Sequence, residues 1–172
     1  EAARVFPDKI GVIYNHMANL SFPQINAVTH RLTELMGGIY PINYPYWFVD
    51  QHLDEIGWMI DRIACADVWI DTSRRPGTMD AREPYWWGTF FGVLAPARRE
   101  QAERIMAAPD FQMPEWHKKM LRSRWCLIEE KSDMLNAALP RAVGEVNHDE
   151  RYMRIKVKAM EAVMPYVQEA AA

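Results

Sequence analysis

The chain has 172 residues, 49% hydrophobic and 25% charged, with a formal net charge of −3. That length suits a single domain, which at this size hides roughly two thirds of its unfolded surface, and the composition excludes a disordered or fibrous chain. The slight acidity speaks against a general nucleic-acid binder, which needs a basic face, and no stretch approaches the ~20 apolar residues of a membrane span.

The apolar spacing is mostly helical. Ile10, Ile13, Met17 and Leu20 follow a 3-4-3 step behind Pro7 and Asp8, which suit a first turn. Ile25, Val28, Leu32, Leu35 and Met36 repeat the stripe, with Ser21 as the expected N-cap and Gly37 as the expected C-cap. Then comes an aromatic-proline stretch from Gly37 to Trp47. A third stripe runs from Phe48 through His52, Leu53, Ile56 and Met59 to Ile63, with Asp54, Asp61 and Arg62 on its polar side. The second broken stretch runs from Ser73-Arg74-Arg75-Pro76-Gly77 to Glu83-Pro84-Tyr85-Trp86-Trp87. Pro96 opens a polar helix to Ala108, and Pro114 opens a longer one ending before Pro140. A last helix is expected from about Asp149, carrying Tyr152, Met153, Met160 and Met164.

These patterns predict a mainly α fold: a single-domain bundle of five to six helices with two Pro/aromatic-rich loops. The alternative is α/β, a small parallel sheet with strands near 9–15, 67–72 and 125–129, because short apolar runs are ambiguous between buried strand and helix. In that alternative the loop after residue 72 follows a strand's carboxyl end, where α/β folds bind ligands, and Asp71 and Glu83 become candidate catalytic carboxylates.

The phosphate-binding loop, the dinucleotide glycine fingerprint and the zinc and nucleophile-elbow motifs are all missing from the sequence. Two cysteines, Cys65 and Cys126, cannot form a disulfide framework, and their apolar neighbours predict buried thiols in a reducing, cytoplasmic setting. A leader removed before Glu1 would leave no trace in this sequence. The pairs Arg74-Arg75 and Arg98-Arg99 read as solvated surface, or as forks for an acidic ligand group.

Three His–Glu pairs have same-face helical spacing: His30/Glu34, His52/Glu55 and Glu145/His148. Only Glu145 and His148 have the Glu-x-x-His order of carboxylate-bridged metal bundles, which makes them the metal candidates, although chance alone accounts for most of the pairs. His52, close to the apolar side of its helix, reads as a satisfied core histidine or, more sharply, as a general base or haem ligand with Glu55 as its carboxylate. Aromatic residues cluster beside the breaks rather than only in helix interiors. Tyr46, Trp47, Tyr85, Trp86 and Trp87 therefore suit core, interface or pocket, with Arg74 and Arg75 near the second cluster.

The expected function is binding of a small hydrophobic or aromatic molecule in an aromatic-lined pocket, with acid–base chemistry by His52 and Glu55. Two other readings stay open. One is a non-catalytic subunit of a homo- or hetero-oligomer that docks through its aromatic segments. The other is a metal- or haem-carrying bundle. The sequence indicates no particular cofactor.

Overall fold

Ile10 and Val12 are both fully buried, two residues apart, which is the period of a strand rather than a helix. In the computed structural model, which describes residues 2–17, 26–38, 49–70, 84–127 and 161, Val12–Met17 is accordingly a strand, β1. It follows a short helical turn, α1 (Ala2–Val5). The helix expected over 10–20 is thus corrected: β-branched Val12 and Ile13 prefer the pleated backbone, and the 3-4-3 spacing is coincidental.

Over the described residues the fold is mostly helical, with a three-stranded mixed sheet. Strand β2 (Asn26–Val28) pairs antiparallel to β1, and β3 (Ile63–Ile70) pairs parallel to it, in the order β2-β1-β3. The parallel register matches Val12 to Ile63 and Asn15 to Ala66, then skips so that His16 faces Trp69. Asp67 and Val68 therefore have no counterpart in β1. Two strands of the α/β alternative are present in this form. The third is not strand over its described residues: Trp125 closes a helix, and Cys126 and Leu127 are again helical. The Trp125 ring is buried and its Nε1 donates to the Met59 carbonyl at 3.3 Å, so this apolar run packs as a helix end.

Helix α2 (His30–Met36) starts later than expected, because residues 26–28 are strand and Thr29 is the N-cap. The Thr29 hydroxyl accepts from Leu32 N at 3.4 Å and from Gly11 N at 3.0 Å, so one side chain caps the helix and ties it to β1. Gly37 ends α2 at φ 78°, as the sequence predicts. Helix α3 (Val49–Met59) buries His52, Leu53, Ile56 and Met59 of the stripe read from the sequence, and Gly57 with them, whereas the stripe's last residue, Ile63, starts β3. Then come α4 (Pro84–Val93), α5 (Ala95–Met106) with Pro96 in its first turn, and α6 (Glu115–Arg124) behind Pro114. The remainder of the helix expected to run to Pro140, and all but Glu161 of the one expected from Asp149, lie outside the described residues.

Helix α3 packs on all three strands and on α5, which also touches α2 and α4. Ile10, Val12, Leu32, Ile56, Met59, Ile60, Ala102, Ile105 and Met106 form the centre of the core. Beneath it the Asp8 carboxylate accepts from Ile10 N (3.1 Å), Gln112 N (3.0 Å) and Arg62 Nη2 (3.1 Å). Arg62 lies over the Phe111 ring, so the N-terminal segment, the α3–β3 turn and the residues before α6 meet at one buried ion pair. Among the described residues no helix is long and apolar enough to cross a membrane.

Candidate functional site

The chain reverses between α3 and β3 through Ile60–Arg62, with Asp61 at φ 51° and Arg62 N donating to the Gly57 carbonyl at 2.8 Å. Gly57 sits on the first residues of the two parallel strands. A Cβ there would lie 2.7 Å from Ile63 Cγ1 and 3.1 Å from Val12 Cγ2. Stepping back along α3 from Gly57 therefore moves along β1 and β3 toward their carboxyl ends. Asp54 and Asp50 are three and seven residues back on the same helical face. A rise of 1.5 Å per residue puts them about 4.5 and 10 Å from Gly57 along the helix axis. The pleat turns Tyr14 and Cys65, which pair in the register, toward the same side as Val12 and Ile63.

Both carboxyls are half-buried. Burial pushes Asp50 above the usual carboxylate range, against the pull of hydrogen bonds from the backbone, including one from Gln51 N at 3.0 Å. Burial also pushes Asp54 up, and the Asp50 charge one turn away adds to it. Among the described residues Asp54 has no hydrogen-bond or ion-pair partner, and Gln51 Oε1 in the same region is buried without a hydrogen bond. Such unsatisfied polar groups at the carboxyl side of a parallel strand pair are what an incoming ligand's donors would satisfy.

The opposite face of α3 carries His52 and Glu55. Gln101 Nε2 donates to the Met36 carbonyl at 3.2 Å, which turns its Oε1 to His52 Nε2 at 2.8 Å. An amide oxygen only accepts, so the imidazole proton is on Nε2. Burial, and then the Arg98 charge, pushes the His52 pKa down to about 3, so the ring is neutral at pH 7. Glu55 pairs with Arg98 at 3.1 Å, and Arg98 also donates to the Phe91 carbonyl and lies over the Phe91 ring at 3.7 Å. The structure thus gives His52 and Glu55 two separate partners on α5 rather than each other.

The other residues singled out by sequence divide as follows. Tyr46, Trp47, Arg74, Arg75, Glu145 and His148 lie outside the described residues, as do Asp71 and Glu83. Tyr85, Trp86 and Trp87 belong to the first turns of α4, with side chains outside the description. His30 and Glu34 form a surface pair at 3.5 Å. Arg98 corrects the surface reading of its pair: it is 1% exposed, because Glu55 and Phe91 satisfy it. Cys65 and Cys126 are exposed, not buried as expected: Cys65 is in β3, and Cys126 follows the end of α6. Among the described residues no three His, Cys, Asp or Glu side chains converge as metal ligands would.

The sequence reading missed Asp50 and set Asp54 on a polar outer face. The signal that finds them is Gly57: a glycine inside a helix marks a close approach, and the residues three and seven positions before it share its side. No family model, no curated protein and no solved structure matches this chain.

Proposed function

We propose that the protein binds a small molecule at the carboxyl ends of β1 and β3, in front of Asp50 and Asp54, and that this carboxyl pair performs acid–base chemistry on it. The observation that carries the proposal is Asp54: a half-buried carboxyl, raised by burial and by Asp50, with no partner among the described residues. A carboxyl poised above its usual range exchanges protons nearer neutrality, and the Asp50 charge one turn away favours the protonated form of Asp54. The ligand has hydroxyl or amino donors for the two carboxyls and a ring face for aromatic side chains. A nucleoside or an aromatic amine meets that description.

In chain order the segment after β3 begins at Asp71 and holds Arg74, Arg75 and Glu83 before α4 brings Tyr85, Trp86 and Trp87. In this proposal those residues, with Tyr46 and Trp47 ahead of α3, supply the ring contacts and receive an acidic group on the ligand. His52 and Glu55 hold α3 against α5 rather than move the proton, since an imidazole with a pKa of about 3 is a weak base at pH 7. The chain then acts as a single, cytoplasmic domain.

Thermal-shift and titration screens with nucleosides, aromatic amines and aromatic acids test this. A ligand that stabilises the protein and loses at least tenfold in affinity with Asp54→Asn or Asp50→Asn is expected. Binding that ignores both substitutions would overturn the proposal.

A further inference from the structure

Helix α6 is apolar on the side where a surface helix is normally polar. Its inner side is formed by Leu121 and Trp125, both buried, with His117 and Lys118 partly covered beside them. At 100° per residue, the point opposite that core is occupied by Trp116, Met120 and Ser123. Trp116 is 69% exposed and Met120 36%, and the stripe continues to Leu127 at 57%. The steps 116, 120, 123, 127 alternate four and three, the seam spacing of two packed helices.

The charges around the stripe are of one sign. Lys118 is held by Glu115 at 2.9 Å and by the Met106 carbonyl, and Arg122 is held by Glu103 at 2.8 Å. Lys119 and Arg124, exposed on the two flanks of the stripe, have no ion pair among the described residues. A second copy of α6 would bring these cations toward like charges in either orientation. A lipid surface wants a broad apolar sector, not a seam one residue wide. We infer that α6 is a docking helix for another protein, which presents an apolar helical seam flanked by acidic residues.

The probe is a designed helical peptide with leucines at the seam and glutamates on both flanks, compared with the same peptide carrying lysines on the flanks. Emission from Trp116, isolated as the difference from Trp116→Phe, should shift blue as the acidic peptide binds, and that peptide should bind at least ~10-fold tighter than the lysine one. Lys119→Glu with Arg124→Glu should reverse the preference. Trp116→Ser with Leu127→Ser should lose ~10-fold or more in affinity without changing helix content or melting temperature. Several outcomes would overturn the inference: equal affinity for both peptides, no saturable binding, tighter binding to phosphatidylserine vesicles, a dimer that Trp116→Ser dissolves, or a Trp116 already shielded from quencher in the isolated protein.

Discussion

The Glu55–Arg98 pair is asymmetric, since its arginine side chain is 2% exposed and its glutamate 18%. Removing the carboxylate takes away the acidic partner of a buried guanidinium, so Glu55→Ala should cost about 3 kcal/mol in chemical denaturation. Arg98→Met should cost less, because Glu55 can still reach water and the methionine fills much of the space. The pH dependence of His52 has a definite sign. Its folded pKa, about 3, is below the ordinary 6.5, so between those values the unfolded chain binds the proton and the folded one does not. Stability is therefore flat above pH 6.5 and falls as pH drops toward 3, by up to about 1.4 kcal/mol per unit from this group. His52→Gln should flatten that slope, which urea denaturation at pH 4, 5.5 and 7 would reveal. The burial of His52 was legible from its place among Val49, Leu53 and Ile56. Its partner Gln101 was not, because a contact across 49 residues leaves no local pattern.

At the scale of elements, the decisive interactions are those in which one residue serves two purposes. Thr29 caps α2 and fastens it to β1, so Thr29→Ala should destabilise by about 1–2 kcal/mol, with Thr29→Ser restoring most of it. Gly57 inverts the usual helix rule. An interior Gly→Ala change normally gains about 1 kcal/mol, yet here the new methyl would meet Ile63 at 2.7 Å. Gly57→Ala should therefore cost about 1–3 kcal/mol and shift the melting temperature down. Helices α3 and α5 could be read from sequence because a one-sided apolar stripe and a Pro near the first turn are local signals. Strand β1 was legible only as the alternative near 9–15, because Ile10, Ile13 and Met17 satisfy a helical template as well as a strand, and β2 was not legible at all. The pairing of Val12 with Ile63 that decides the matter is long-range.

Over the described residues, a parallel strand pair, the helix α3 packed against it and two half-buried carboxyls on the Gly57 side of that helix form one arrangement. Its location depends on topology, which explains why the sequence offered His52 and Glu55 first: they share a visible helical spacing, whereas Asp50 and Asp54 gain meaning only once Gly57 is seen on the sheet. A carboxyl kept half-buried beside a like charge costs stability, since both effects disfavour its charged form. Asp54→Asn separates the two consequences. Relief of the repulsion one turn away should raise stability at pH 7 by about 0.2–0.5 kcal/mol. Because the folded carboxyl holds its proton to higher pH than the unfolded one, that advantage should shrink as pH falls into the carboxylate range. The direct test is to measure stability and ligand affinity of Asp54→Asn side by side, with whichever compound stabilises the unsubstituted protein. A carboxyl that binds ligand at a cost in stability gives a variant that is more stable and binds at least tenfold more weakly; a variant that is less stable, or one that binds as well as before, is the opposite result and rules that role out.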